Sequence, residues 1–232
     1  MEDWRQSWKI AIPTLTQYGR LHTLIAAITQ SYHNPEECPP IVILDNGGGL
    51  LNSPTGHELQ NYQRAYKIRI IESPFNQGVA GSWNYFAASR GRCIISNDDV
   101  IFGQSCISSL LQAAAENPER IIIENDDDYG GFSLFCLNQP DQWLALGGFD
   151  ELFNPAYFED NDARWRLLLQ GNPSLRVPLK NWCHARTSTM NHASDSEKRI
   201  YGTIFRRNLA YYISKWGGAP GGERFVTPFN QS

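Results

Sequence analysis

The chain lacks the features that mark several common classes of protein. Its five cysteines are scattered without any CxxC pair, which argues against a zinc knuckle or a disulfide framework and favours a reducing compartment. No apolar run approaches the length needed to span a membrane, and the charged N-terminal stretch MEDWRQSWKIAIPTL lacks the apolar core of a signal peptide. We therefore expect a cytoplasmic protein.

Basic blocks and phosphate-cradling glycine loops are also missing. The formal net charge is −4 over 232 residues, so a nucleic-acid partner is disfavoured. Neither GxGxxG nor GxxxxGK[ST] occurs in the chain. The apolar content of 41% is that of a globular protein with a sizeable core.

The chain does have a regular alternation of apolar and amphipathic segments. Four strands are predicted by the runs WKIAIPTL, PPIVILDNGGG, YKIRIIES and RCIISNDDVIF. Between them, YGRLHTLIAAITQSY has the apolar spacing of a helix, and NQGVAGSWNYFAASR begins with a glycine turn that leads into another. This repetition indicates an α/β protein with an open, mostly parallel twisted sheet flanked by helices, which binds ligands at the carboxyl ends of its strands.

The second half of the chain is less regular. We expect a helix in CISSLLQAAAENPER that Pro118 stops, and one or two strands in RIIIENDDDYGGFSLFCL, whose ENDDDY run we interpret as a solvated loop or strand end. EKRIYGTIFRRNLAYYISKWGG predicts a long amphipathic helix, for which core packing is favoured over peripheral contact with a membrane. We expect one domain over residues 1–216 and a loosely held Pro/Gly-rich tail over residues 217–232.

Polar residues stand where two of the predicted strands end. Asp45 follows the second strand, and Asn97, Asp98 and Asp99 follow the fourth. If that strand persists, Asn97 and Asp99 face the crevice while Asp98 faces away. Hard cations take such oxygen ligands, but Asn and Asp also begin turns, so both interpretations stay open.

The stretch NPAYFEDNDARWRLLLQG places Glu159, Asp160 and Asp162 just ahead of an apolar run. Asp160 and Asp162 each precede an arginine by four residues, and Asp160 also suits a helix cap, so a purely structural role remains open. Gly171 suits a C-terminal cap. The apolar stripe of this helix is expected at Trp165, Leu168 and Leu169.

Together these segments resemble family 2 of the glycosyltransferases, which have the GT-A fold. The ordered matches are IAIPTL, IVILDNGGG, NQGVAGSWN, CIISNDDV at the position of the family's DxD motif, GGFDELFNPAYFEDNDARWRLLLQG, and CHARTSTM. They span residues 8 to about 216. The resemblance implies an inverting transfer of a sugar from a nucleotide diphosphate (UDP, GDP or dTDP) to a hydroxyl of a glycan or lipid-linked acceptor.

The resemblance also implies roles for individual residues. Asp160 is the expected general base, with Asp99 and His184 as ligands of Mn²⁺ or Mg²⁺; a base at a helix N-terminus near a cation is expected to stay ionised. The nucleotide sugar is expected against Pro13, Thr14, Asp45, Asn76, Gly78, Asn84, Asn97 and Asp98. The acceptor or transferred sugar is expected against Gly148, Phe149 and Glu159. Residues 8–100 form the expected nucleotide-binding half and residues 101–216 the acceptor-binding half.

One position departs from the family, because Asn97 stands where the first acid of DxD is often found, which removes a negative charge near the metal. Three other functions remain open. A retaining transferase would not need Asp160 as a base, a nucleotidyltransferase would need a basic phosphate loop, and a non-catalytic binding protein would hold a nucleotide sugar or glycan without turnover.

Overall fold

The computed structural model describes residues 8–89, 91–124, 132–184 and 194–231. Strands and helices alternate through the first half of the chain. The strands are β1 Trp8–Thr14, β2 Ile41–Asp45, β3 Ile68–Glu72, β4 Arg92–Ser96, β5 Val100–Ile101, β6 Ile122–Glu124, β7 Leu134–Leu137, β8 Leu175–Val177 and β9 Cys183–His184. The helices are α1 Tyr18–Gln30, α2 Pro54–Gln63, α3 Gly78–Ala88, α4 Gln104–Glu116, α5 Pro140–Ala145, α6 Glu159–Leu169 and α7 Asp195–Trp216.

Seven strands form one sheet in the order β3-β2-β1-β4-β7-β6-β8. The pairs on the β3 side of β4 are parallel, β7 runs antiparallel to both β4 and β6, and β8 is parallel to β6. β5 and β9 form a separate antiparallel pair. The expected open, mostly parallel sheet is confirmed.

Helices cover both faces of this sheet. On one face, α1, α2 and α4 pack on Ile10 and Ile12 of β1 and their neighbours. On the other face, α3, α5 and α6 pack on Ala11 of β1 and Ile95 of β4. Buried side chains on both faces explain why the central strands read as continuous apolar runs in the sequence.

Most of the predicted elements are present. The α1 stripe of Leu21, Leu24, Ile25 and Ile28 is buried, and α4 ends before Pro118. The short strands β8 and β9 and the helices α2 and α5 were not foreseen. The two helices share a feature. Both begin with a proline at the first helical position, a start signal that the sequence carries in SPTGHELQ and QPDQWLA.

Helix α6 is rotated relative to the expectation from its sequence. Leu168 is 53% exposed, whereas Asp162 is fully buried. The Asp162 carboxylate accepts hydrogen bonds from Arg166 Nε at 2.8 Å and Trp216 Nε1 at 2.8 Å, and it lies 2.6 Å from Lys215 Nζ. The predicted stripe is therefore wrong at Leu168, whereas Trp165 and Leu169 are partly buried and pack against the Phe153–Trp216 cluster. The fully buried side of the helix also holds the charged network of Asp162.

Helix α7 begins with a capping box, in which Ser194 and Glu197 bond each other's backbone N–H groups. Its buried Asn208 donates to the carbonyl oxygens of Phe153 at 2.5 Å and Ala156 at 2.7 Å, which fixes the loop ahead of α6. No helix among the described residues is long and apolar enough to cross a membrane.

The C-terminal tail is held more firmly than its composition suggested. The N–H groups of Arg224 and Phe225 donate to the Trp216 carbonyl oxygen at 2.9 and 3.0 Å. Trp165 Nε1 donates to the Phe225 carbonyl oxygen at 3.1 Å. Backbone hydrogen bonds therefore fix a segment that its Pro/Gly content alone had marked as loose.

Candidate active site

A cavity of about 470 Å³ opens where β1 and β4 end and α3 begins. Its described lining comes from the ends of β1, β2 and β4 and the segments after them, the start of α3, the loop before α6, and the N-terminal part of α7. The expected site residues among its lining are Pro13, Thr14, Asn76, Gly78, Asn97, Asp98 and Asp99. The carboxyl edge of the sheet therefore carries the cavity, as expected for an open α/β sheet.

The segment after β4 turns all three of its polar side chains towards this cavity. β4 ends at Ser96, so the strand alternation that would have pointed Asp98 away does not apply. Thr14 Oγ1 of β1 donates to Asp98 Oδ2 at 2.7 Å. Burial raises the pKa of Asp98 to about 6, although the Thr14 hydrogen bond opposes this shift.

Asp99 and His184 are brought together by the small β5–β9 sheet. Val100 pairs with His184 in that sheet, and His184 Nε2 lies 3.5 Å from Asp99 Oδ1. Both side chains are only 16% exposed. These two residues are the metal ligands that the resemblance implies, and the fold brings them together although they are far apart in the chain.

The donor set at this edge suits a divalent cation. The cavity is lined by three carboxylates, Asp98, Asp99 and Glu197, and no Lys or Arg occurs in its described lining. Among the described residues there is no group of three or more His, Cys, Asp or Glu side chains with metal-binding geometry. Asp99 and His184 would therefore supply only part of a coordination shell, and ligand oxygens and water would complete it.

Asp45 does not line the cavity. It is fully buried, and its carboxylate accepts hydrogen bonds from the N–H groups of Gly47 at 3.0 Å and Leu50 at 2.7 Å and from the Tyr18 hydroxyl at 3.1 Å. Its neighbour Asn46 lines the cavity instead. The expected nucleoside contact at Asp45 is thus replaced by a structural role, in which the carboxylate holds the glycine turn after β2.

Asn76 and Gly78 join the start of α3 to the loop ahead of α6. Asn76 Oδ1 accepts from the Gly78 N–H at 2.9 Å, and the Val79 N–H donates to the Pro155 carbonyl oxygen at 2.8 Å. Gly78 has φ +69°, and a Cβ there would lie 2.8 Å from that oxygen. A side chain at position 78 would therefore displace the loop that forms one wall of the cavity.

Asn84 holds a different loop and lies outside the 470 Å³ cavity. Its side chain donates to the Phe149 carbonyl oxygen and accepts from the Phe149 N–H, both at 2.8 Å. Asn84 and Phe149 line a smaller cavity of about 350 Å³. Gly148, the residue before Phe149, has φ +60°. Asn84 therefore positions the GGFDE segment, and the structure does not bring it together with the other expected nucleotide-binding residues that line the 470 Å³ cavity.

Glu159 and Asp160 open α6 as adjacent carboxyl groups. Phe158, in the left-handed conformation, is the residue before the helix, so the expected capping role of Asp160 is wrong. Glu159 is only 6% exposed, and its Oε2 has no hydrogen-bond partner among the described residues. Neither residue is among the described lining of the cavity, but Tyr157, two positions before Glu159, is.

The pKa values of both carboxyl groups of this pair are raised. Burial, and then the charge of Asp160, raise the pKa of Glu159 well above its ordinary value. Burial also raises the pKa of Asp160, against the Asn161 N–H and the Arg164 charge, which lower it. In the protein alone, desolvation of Asp160 therefore outweighs the hydrogen bonds and the Arg164 charge that favour its ionised form.

One wall of the cavity was missed from the sequence. Glu197, Ile200, Tyr201 and Ile204 of α7 line it, at helical spacing on one face. Ile200 is 58% exposed, so this apolar face is not packed into the core. The helical spacing of Ile200 and Ile204 in EKRIYGTI is visible in the sequence, but a pattern of this kind does not distinguish a cavity wall from a core-packing face.

No protein-family model and no curated protein matches the sequence. Three solved structures show the similarity of the fold. Mannosyltransferase PcManGT from Pyrobaculum calidifontis, in complex with GDP-Man and Mn²⁺, is 11% identical with a TM-score of 0.59, covering 74% of this chain and 55% of its own. S. aureus TarS is 10% identical with a TM-score of 0.59, and the match covers 89% of this chain and 40% of TarS. GalNAc-T7 with UDP, GalNAc and Mn²⁺ is 10% identical with a TM-score of 0.65, and the match covers 93% of this chain and 49% of GalNAc-T7.

The chain thus spans about half the length of the solved structures it matches. At such low identity the similarity establishes the architecture only. The fold is of the GT-A type seen in these glycosyltransferases, and the fold class inferred from the ordered sequence segments is confirmed.

Proposed function

We propose that the chain is a metal-dependent, inverting glycosyltransferase that moves a sugar from a nucleotide-diphosphate sugar to a hydroxyl group of a glycan or lipid-linked glycan. The observation that carries this proposal is the carboxylate-lined cavity at the ends of β1 and β4, beside the Asp99–His184 pair. A diphosphate bound next to three carboxylates would be repelled unless a cation lay between them. Bound Mn²⁺ or Mg²⁺ would offset the charge that develops on the departing diphosphate.

The roles of the remaining groups follow from a single displacement. The acceptor oxygen forms a bond to the anomeric carbon as the bond from that carbon to the diphosphate breaks. Asp160 takes the proton of the acceptor hydroxyl, which requires its ionised form. Asp98 and Thr14, joined by their 2.7 Å hydrogen bond, and Asn97 would contact the nucleotide. Residues 8–100 would hold the nucleotide, and residues 101–216 would hold the acceptor and, through α7, one wall of the donor cavity.

The solved relatives support the donor class. PcManGT is a complex with GDP-Man and Mn²⁺, and GalNAc-T7 is a complex with UDP, GalNAc and Mn²⁺. Their shared fold favours a nucleotide-sugar donor here, while the base and the sugar depend on the loops around the cavity. The apolar α7 face of Ile200, Tyr201 and Ile204 is one such determinant in this chain.

The test is release of nucleotide diphosphate from a panel of UDP-, GDP- and dTDP-sugars with Mn²⁺. We expect release from one donor, and we expect it to be lost with EDTA and in Asp99→Ala. Asp160→Asn should slow turnover about 10²–10⁴-fold, the usual contribution of a general base, while calorimetry shows unchanged donor binding. Asp141→Asn is the matched control, because Asp141 also stands in a first helical turn but is exposed.

The competing functions give different results. A non-catalytic binding protein would bind a donor in calorimetry without turnover, and Asp160→Asn would then change nothing. A retaining transferase would release the diphosphate with little dependence on Asp160. Failure of every donor to bind would refute the proposal itself.

A further inference from the structure

A second, larger cavity of about 720 Å³ lies beside α6 and shares no described lining residue with the 470 Å³ cavity. One wall is a single face of α6, since Asn161, Arg164, Trp165 and Leu168 follow helical spacing. The other walls come from Pro173–Arg176, around β8, and from Pro220–Glu223 of the tail. The rotation of α6 that buries Asp162 is what turns this face outwards.

The charged groups of this second cavity favour an anion. Arg164 makes no hydrogen bond and no ion pair with the described residues, and Arg176 lines the same space. The one carboxylate in the described lining, Glu223, is occupied by the Tyr212 hydroxyl at 2.6 Å and the Gly221 N–H at 2.9 Å. Arg164 forms no ion pair with this carboxylate, so its guanidinium is available to a ligand, and a guanidinium matches a carboxylate or phosphate with paired hydrogen bonds.

The apolar part of the lining favours a saccharide over a bare anion. The Trp165 indole and Leu168 line the cavity together with Pro173 and Pro220. The indole N–H is already bonded to the Phe225 carbonyl oxygen at 3.1 Å, which fixes the ring. A fixed indole offers a flat apolar surface to the C–H face of a sugar ring. Asn161 and Ser174 add polar side chains for sugar hydroxyls.

This second cavity adjoins the candidate base. The Asn161 N–H donates to Asp160 Oδ1 at 2.7 Å, and the charge of Arg164, one helical turn further on, acts on Asp160. We propose that this cavity binds the acceptor, and that the acceptor is an anionic saccharide carrying a carboxylate or phosphate group. The identification of that saccharide as the acceptor rests on the proposed function, whereas the binding of an anionic saccharide does not.

The experiment follows the indole N–H signal of Trp165 by nuclear magnetic resonance in the full chain, assigned with Trp165→Phe. Glucuronic acid and glucose 6-phosphate are titrated as the anionic probes, with glucose and inorganic phosphate as the comparisons. We expect the two anionic sugars to shift the signal, and glucose and phosphate to shift it much less. Arg164→Gln and Arg176→Gln should each weaken the binding of the anionic sugars about tenfold, which is the loss of affinity expected for one charge-assisted hydrogen bond.

Arg64→Gln is the matched control, because Arg64 is an exposed arginine at the end of α2, and it should leave the titration unchanged. The inference is overturned if no probe shifts the signal, if both arginine variants bind like the parent, or if phosphate alone shifts it as strongly as glucose 6-phosphate. Binding of nucleotide diphosphate with Mn²⁺ is measured on the same samples. Nucleotide binding without saccharide binding refutes only this inference, and the reverse result refutes only the proposed transfer.

Discussion

Lys215 is the side chain whose removal we expect to cost the most stability. It is only 7% exposed, and its ammonium group lies 2.7 Å from Asp150 Oδ2 and 2.6 Å from Asp162 Oδ1. The Lys215→Met substitution preserves much of the apolar stem but leaves two carboxylates in the interior without their shared cation. Breaking one side of a buried ion pair typically costs 3–5 kcal/mol, because the remaining charge is uncompensated.

The structure places the expected loss near the lower end of that range. Asp162 keeps its hydrogen bonds from Arg166 and Trp216, and Asp150 keeps those from the Tyr211 hydroxyl at 2.8 Å and the Leu152 N–H at 3.0 Å. We therefore expect a loss of about 3 kcal/mol in the free energy of unfolding. For a domain of this size, that corresponds to a fall of roughly 6–12 °C in Tm.

Urea and thermal unfolding, followed by circular dichroism, measure this loss. The control is Lys67→Met, since Lys67 also pairs with a carboxylate, Glu36, at 2.8 Å, but the two side chains are 60% and 72% exposed. That substitution should cost under about 1 kcal/mol. Equal losses for the two variants would refute the reasoning, because burial would then contribute nothing to the difference.

The stability loss of Lys215→Met should also depend on pH. Burial pushes the pKa of Asp150 upwards, but hydrogen bonds from Lys215, Leu152 and Tyr211 outweigh this and hold it below its ordinary value. A carboxylate with a lowered pKa stabilises the fold above the pKa of the unfolded state, about 3.9, and loses this contribution as the pH falls through its folded value. The difference between Lys215→Met and the parent should therefore be full at neutral pH and shrink below about pH 4.

Two further predictions concern the candidate site. Burial raises the pKa of Asp160, and the base must be ionised to act. Turnover at saturating donor and Mn²⁺ should therefore fall as the pH drops, with a midpoint above the ordinary aspartate pKa of about 3.9. A midpoint at or below that value would contradict the role of burial. Gly148→Ala should destabilise the fold by about 1–2 kcal/mol in urea unfolding, because position 148 has φ +60° and its new Cβ would lie 2.7 Å from Asn84 Oδ1. Gly19→Ala, in α1 with nothing within 4 Å of the new Cβ, is the control and should be neutral or stabilising.

The sheet could be predicted from the sequence because its signals are local. Buried parallel strands read as short apolar runs, and the stripe of α1 reads at helical spacing, so both were correctly placed. The short helices α2 and α5 were missed because their apolar faces are small, with Leu59 and Trp143 as their main buried side chains. The orientation of α6 was mispredicted for a different reason, since it depends on Lys215 and Trp216, which lie more than fifty positions further along the chain.

Some residues of the candidate site could likewise be predicted from local sequence signals, and others could not. The residues that line the 470 Å³ cavity from the ends of β1 and β4 were predictable, because the ends of parallel strands share one edge of a sheet. The alternation argument failed for Asp98, because β4 ends one residue before Asn97. Asp45 and Asn84 have side chains that suit a ligand equally well. Only their hydrogen-bond partners in the fold, backbone groups of the turn after β2 and of the GGFDE loop, indicate a structural role.

The acidic helix start shows how one short sequence serves three physical purposes. Asp162 is fully buried and ion-paired, so it fixes the rotation of α6. Glu159 is buried, and burial favours its neutral form at a pH where an ordinary carboxyl group is charged. Asp160, between these two in the first turn, is mostly buried beside the face that carries Arg164 and Trp165. Because the buried pairing of Asp162 sets that rotation, Asp162→Asn is expected to disturb both the α6 face and the environment of Asp160 without touching either substrate. A pH–rate profile of Asp162→Asn with an unmoved acid limb would refute this link.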